Sequence, residues 1–181
     1  MSYTSTYAVP ASHTLDKPIL QGLGSVSTTE SDDGVGKAVL SDAGGRFVYV
    51  YMESSAVAAV AGAPAVWVDT TTNYVVTPDV SDAGGAVLGG TGRGMAGAFC
   101  AASSADNAYM WIQTRGLASG IQVGSGVAAN SALEMSSSNL FEDIGSTLSG
   151  GTAITCGFAV GAATDTVGGG NSTADVQLYC L

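Results

Sequence analysis

The sequence predicts an all-β protein: a small β-barrel or β-sandwich built from short Gly/Ala-rich strands, with an extended N-terminal arm. Three observations carry that expectation. The first is composition. Hydrophobic residues make up 46% of the 181 residues, much of it Ala and Val, while charged residues reach only 11%, against roughly 25% in ordinary soluble domains. The 26 glycines are roughly double the ordinary share of ~7%. Long amphipathic helices need the Leu, Glu, Lys and Arg that this chain lacks.

The second observation is a series of short alternating runs. In Phe47-Val-Tyr-Val-Tyr-Met52, residues Phe47, Tyr49 and Tyr51 face one way and Val48, Val50 and Met52 the other. Both sets are β-formers, so a strand covered on two sides is expected. Ala65-Val-Trp-Val-Asp69 and Asn73-Tyr-Val-Val-Thr77, separated by a Thr-rich turn, read as a hairpin. Tyr109-Met-Trp-Ile-Gln-Thr114, Ser131-Ala-Leu-Glu-Met135 and Ala174-Asp-Val-Gln-Leu-Tyr-Cys-Leu181 complete the set. Helical spacing is scarce; the best window, residues 136–148, has room for one turn or a short helix, limited by Gly145.

The third is an internal repeat. Gly36-Lys-Ala-Val-Leu-Ser-Asp-Ala-Gly-Gly-Arg-Phe-Val-Tyr-Val-Tyr51 aligns with Gly97-Ala-Phe-Cys-Ala-Ala-Ser-Ser-Ala-Asp-Asn-Ala-Tyr-Met-Trp-Ile112, and a third copy starts at Gly157 and ends in the strand over residues 176–180. Each copy is a Gly, a small apolar strand, a polar turn and a stronger strand, so hairpins set around a barrel or sandwich are expected. Residues 1–35 differ: they are rich in Ser and Thr, hold Pro10 and Pro18, and end in the acidic turn Glu30-Ser-Asp-Asp-Gly34. This stretch reads as the arm, with at most short strands, and residues 36–181 as the β domain.

Charge narrows the partners. The net charge is −10, and the five cations, Lys17, Lys37, Arg46, Arg93 and Arg115, are scattered. A phosphate backbone or an anionic membrane needs clustered Lys and Arg, so no nucleic-acid and no membrane partner is expected. The N-terminus shows no basic n-region followed by an apolar h-region, so synthesis in a cytoplasm without a Sec-type signal is expected. Cys100, Cys156 and Cys180 form no CxxC pair, and buried free thiols are the plain reading.

No motif carries chemistry with its required context. Gly92-Arg-Gly94-Met-Ala-Gly97 matches GxGxxG, but a dinucleotide site needs a helix to open after it, and here a small-residue strand is expected. His13, the one histidine, lies in the arm, away from any shell that would make it a general base. Asp32-Asp33 and Glu142-Asp143 are adjacent pairs, whose members point to opposite sides of an extended chain. The identical pentapeptides Ser41-Asp-Ala-Gly-Gly45 and Ser81-Asp-Ala-Gly-Gly85 offer one Asp each, too few ligands for calcium, and read as Asx-type turns with Gly at positive φ. Asn171-Ser-Thr173 fits a glycosylation sequon with no visible route to the compartment that would use it. No catalytic residue, metal or cofactor is expected.

The order of strands and links, carried by Arg46-Phe-Val-Tyr-Val-Tyr51, Ala65-Val-Trp-Val-Asp69, Met95-Ala-Gly-Ala-Phe99, Tyr109-Met-Trp-Ile-Gln-Thr-Arg-Gly116 and Ile154-Thr-Cys-Gly-Phe-Ala-Val160, resembles the small β-barrel head-decoration (capsid cement) proteins of tailed bacteriophages, especially those of environmental and marine phages. The resemblance covers residues 36–181. It implies a non-enzymatic virion protein on the outer surface of the capsid, oligomeric and often trimeric, seated where major capsid subunits meet; it transfers no site residues. Alternatives are another virion β module (head fibre, baseplate or tail subunit) or a carbohydrate-binding adhesin with Trp67, Tyr109 or Trp111 as stacking platforms. A glycan-cleaving enzyme with distant carboxylates is the weakest.

Overall fold

The computed structural model describes residues 24, 26–28, 30, 34–41, 44–53, 57–68, 74–79, 94–104, 107–135, 139–144, 156–165 and 172–180. The protein is all-β, with no helix among these residues. The strands are β1 (Val26–Ser27), β2 (Ala38–Leu40), β3 (Arg46–Met52), β4 (Pro64–Trp67), β5 (Val75–Thr77), β6 (Met95–Phe99), β7 (Ala108–Val123), β8 (Ala132–Met135), β9 (Phe141–Asp143), β10 (Gly157–Ala159), β11 (Thr164–Asp165) and β12 (Ser172–Tyr179).

Five strands close into a small barrel, which decides between barrel and sandwich. β3 pairs β7, β7 pairs β6, β6 pairs β4 and β4 pairs β5, all antiparallel. The ring shuts where β5 runs parallel to β3, with Tyr51 opposite Val75 and Met52 opposite Val76. Inside lie Val48, Val50, Val76, Phe99, Met110 and Ile112, all buried. The alternation expected for β3 holds: Val48, Val50 and Met52 fill this core, while Tyr49 packs on the other face against Val39 and Trp111.

Outside that barrel, β8, β9, β10 and β12 make a second circuit with β7, while β1, β2 and β11 pair with β7, β3 and β12 in turn. From β7 the pairing passes to β12, β10, β8 and β9, and returns to β7 at Val123 opposite Phe141. This circuit encloses Ile121, Val123, Leu133, Phe141, Val176 and Leu178. Strand β6 serves both interiors: Ala96 and Phe99 belong to the first, Met95 and Ala98 to the second. Strand β7 does so along its length, since Ala108, Met110 and Ile112 point into the first and Ala118, Ile121 and Val123 into the second.

The alternation along β7 shifts by one at Ser119–Gly120, opposite the irregularity between Ala174 and Val176, while the passage from the first core to the second falls between Ile112 and Ala118, around Gly116. The φ of Gly116 is +93°, and a Cβ there would lie 2.7 Å from Gly45 Cα and 2.9 Å from the Gly44 carbonyl oxygen. Only Gly accepts both the backbone conformation and the approach. The Gln113 side chain spans the bend, its Nε2 donating to the carbonyls of Arg115 at 3.2 Å and Leu117 at 3.0 Å. Thr114, also buried, donates from its hydroxyl to the Arg46 carbonyl at 3.3 Å, tying the end of β3 to the start of the bend.

The three repeat copies are the hairpins β2–β3, β6–β7 and β10–β12, each antiparallel. Their strong strands lie together, with β3 and β12 both pairing β7. The likeness is one of form and not of register: kept strictly, it would put Phe99 opposite Tyr109, whereas Phe99 faces Ile112. Two of the repeat glycines have a shared physical reason. A Cβ at Gly97 would strike the Gln113 carbonyl, and one at Gly157 would sit 2.7 Å from the Gln177 carbonyl, so both mark close strand approach.

Two expectations change. Where a helical turn was expected over residues 136–148, the described part, 139–144, holds β9, because Phe141 is needed as a core residue between Met135 and Val123. The strand expected over Tyr109–Thr114 runs on for sixteen residues in all. Of the expected arm, β1 pairs with β7, Val26 opposite Met110, and residues 1–23 lie outside the described residues. The pentapeptide turn closes with Gly44 at φ +82°, and the Gly45 amide donates to the Ser41 hydroxyl oxygen at 2.9 Å. Asp42 and the second copy, residues 81–85, are outside the described residues.

Gly116→Ala should destabilise the protein by about 2–3 kcal/mol in urea unfolding, from strained φ plus the clash with residues 44–45. Gly161→Ala, where a Cβ meets nothing within 4 Å, should change stability by no more than about 0.5 kcal/mol. Equal effects at the two glycines would contradict the role given to Gly116.

Candidate functional site

The residues with reactive side chains are dispersed by this topology. His13, Asp32, Asp33 and Asn171 lie outside the described residues. The GxGxxG match runs from outside the described residues into β6, whose five residues are all buried, so its glycines lead into a strand and not a helix N-terminus. Among the described residues the motif therefore offers a phosphate no helix N-terminus.

Glu142 and Asp143 sit on β9, and Glu134 on β8 is directly opposite Glu142. Directly opposed residues share a face, so Glu134 and Glu142 lie side by side, and Asp143 pairs with Leu133. Glu142 and Asp143 border a cavity of about 330 Å³ with Gly124, Ser125, Gly126 and Val127. Among the described residues, no three His, Cys, Asp or Glu side chains are grouped as a metal site. A second cavity, about 250 Å³, lies between β6 and the bend of β7, lined by small residues including Ala61, Gly62, Ala98 and Gly120, with Cys100 at its wall.

The cysteines are free thiols, and Cys156 and Cys180 share the second core while Cys100 packs against the cluster of Val39, Tyr49 and Trp111. Cys156 Sγ donates to the Leu133 carbonyl at 3.2 Å, and Cys180 Sγ to the Cys156 carbonyl at 3.6 Å. Burial pushes Cys100 and Cys180 up to about 12, and raises Cys156 well above the ordinary thiol range. Such thiols stay protonated and are poor nucleophiles.

The aromatic residues form a ladder across β3 and β7. Tyr49 is opposite Trp111 and Tyr51 opposite Tyr109; ring centroids are 5.2 Å apart for Tyr49–Trp111 and 5.1 Å for Tyr51–Tyr109. Trp111 is 8% exposed, which leaves no free ring face for a sugar. Trp67 is half-buried, its ring edge-on to Tyr74 at 6.2 Å. Trp111 is thus packed within the ladder, while Trp67 and Tyr109 remain partly exposed.

Four of the eight large apolar residues exposed among the described residues collect elsewhere. Leu117, Phe158, Val160 and Tyr179 are between 43% and 55% exposed and belong to β7, β10 with the turn after it, and β12. They are inconspicuous in the sequence because each sits in a short run beside small residues. The signal present is Phe158 and Val160 alternating with Gly157 and Ala159: in a strand with only one buried face, apolar residues on both faces leave one set outside.

No family model and no curated protein matches the chain.

In the native protein the three thiols should react with an aromatic disulfide reagent at pH 8 far more slowly than a free cysteine, and all should react at once in denaturant. The folded thiols hold protons to about 12, whereas unfolded ones release them near 9.0. Between those values the native state binds more protons, so stability should fall as pH rises above 9. A triple Cys→Ala variant should lose most of that slope.

Proposed function

We propose that this chain is a non-enzymatic virion structural protein, a decoration or cement subunit that binds and stabilises the major capsid protein shell of a tailed phage from its outer surface. The observation that carries this reading is the filling of both interiors by the chain's own side chains. Val50, Ile112 and Phe99 occupy the barrel, and Phe141, Leu133 and Val176 the second circuit, each at 2% exposure or less. Small barrels that bind ligands keep their interior free for them. Here the available recognition surface is the outside, as a protein acting through surface contacts requires.

The composition supports the same reading. A rigid unit repeated many times over a shell needs only weak individual contacts, because avidity supplies the strength. A net charge of −10 disfavours binding to stray nucleic acid. Self-association belongs to this reading, as trimers by the resemblance. Another virion β module would use the same features; an adhesin has less support at Trp111, which is buried against Tyr49.

Added to isolated expanded capsids of its host phage, the protein should co-sediment with them and raise their disruption temperature. Absence of both effects, with binding to a glycan array that Trp67→Ala abolishes, would favour the adhesin instead.

A further inference from the structure

We propose that the outward face of β7, β12 and β10 is a two-fold contact through which two copies of this chain pair. Three cross-strand rows make up the face. Arg115 is opposite Tyr179; Leu117 is opposite Gln177, which is opposite Phe158; and Asp175 lies beside Val160, whose amide donates to its carbonyl at 2.8 Å. Apart from half-buried Gln177, all these residues are exposed. The opposite face of the same strands, with Ala118, Val176, Leu178 and Ala159, is core.

The face differs from its counterpart on the first barrel. There the outward residues Tyr49 and Trp111 are covered by Val39 of β2, with Val35 and Phe47 against them. On the second circuit the Phe158 and Tyr179 rings touch each other edge-on at 6.0 Å and are 43% and 47% exposed. Four of the eight large apolar residues exposed among the described residues gather on this one face, and a contiguous apolar area of this kind is the usual mark of a protein contact.

Charge identifies the occupant. The apolar middle row is flanked by a cation, Arg115, in one outer row and an anion, Asp175, in the other. Rotating a second copy about a two-fold axis close to the middle row carries Arg115 of each copy into the outer row that holds Asp175 of the other, one strand away and within reach of the long Arg side chain, and sets Leu117 and Phe158 against their equivalents. An isologous contact needs this self-complementarity. Arg115 is one of only three cations among the described residues, so its place on this apolar face makes complementarity to an acidic partner, and this chain is itself acidic.

The proposal does not rest on the virion reading, and it departs from the trimer that the resemblance implies: the contact unit is a dimer. Sedimentation velocity over a concentration series should show monomer–dimer exchange for the free protein. Arg115→Asp and Asp175→Arg should each weaken it on the order of ten-fold or more, and the double reversal R115D/D175R should restore it. Asp175→Arg makes the copies less acidic, so general repulsion alone would strengthen pairing, the opposite of the expected result. Leu117→Asn should weaken the dimer with an unchanged melting curve, which shows that the fold is intact. A protein that stays monomeric at high micromolar concentration, a trimer indifferent to these substitutions, or a double reversal that fails to recover would each overturn the proposal.

Discussion

Strand β7 is a continuous sixteen-residue strand that has to supply side chains to two separate interiors. A regular strand presents each face to one side along its whole length, so passing from one core to the other requires a change of direction without loss of pairing. Gly116 supplies the change, at a φ of +93°. Gln113 holds the carbonyls on either side of it, so the bend stays hydrogen-bonded, and the tie between Thr114 and Arg46 fixes where it begins. Beyond the bend Ala118 keeps the parity of Met110 and Ile112, and the irregularity at Ser119–Gly120, with Gly120 at φ +70°, brings Ile121 and Val123 onto the inward face; β12 pairs along this half. The position of nearly every other strand depends on β7.

Much of this was legible in the sequence, for a physical reason. Residues 47–52 and 109–114 carry aromatic and β-branched residues on both faces, and both are central strands. The hairpin of Trp67 and Val76 and the three repeated hairpins were legible through turn residues and spacing. Other features were hidden. The run Arg115-Gly-Leu-Ala-Ser-Gly120 has the composition of a loop, and its strand character comes from β12 alongside it rather than from its own residues. The parallel β3–β5 pairing that closes the barrel involves two residue pairs and leaves no local signature. At β9 the sequence around Phe141 allows a helical turn; tertiary demand for a large side chain between β7 and β8 overrides it.

The candidate site was less legible than the fold, because it has no reactive motif. In the sequence, with no clustered His and no phosphate loop with its helix, the prominent residues are Trp67, Tyr109 and Trp111, and the ladder on β3 and β7 engages Tyr109 and Trp111 with their neighbours. The exposed set sits on the other circuit, where Phe158 and Tyr179 stack only on each other. The two outer faces built by the repeated hairpins therefore have different fates. One is covered by β2 of the same chain, and the other presents Leu117, Phe158, Val160 and Tyr179 exposed.

The central claim, that one strand joins both interiors into a single structural unit, is tested most directly by native-state hydrogen exchange across increasing denaturant. The account predicts that amides on both halves of β7, at Met110 and Ile112 and at Ile121 and Val123, together with Val50 and Leu178, exchange through one global opening with the same free energy and denaturant dependence. Exchange of Ile121, Val123 and Leu178 through a separate opening of lower free energy, while Val50 and Met110 remain protected, would contradict it.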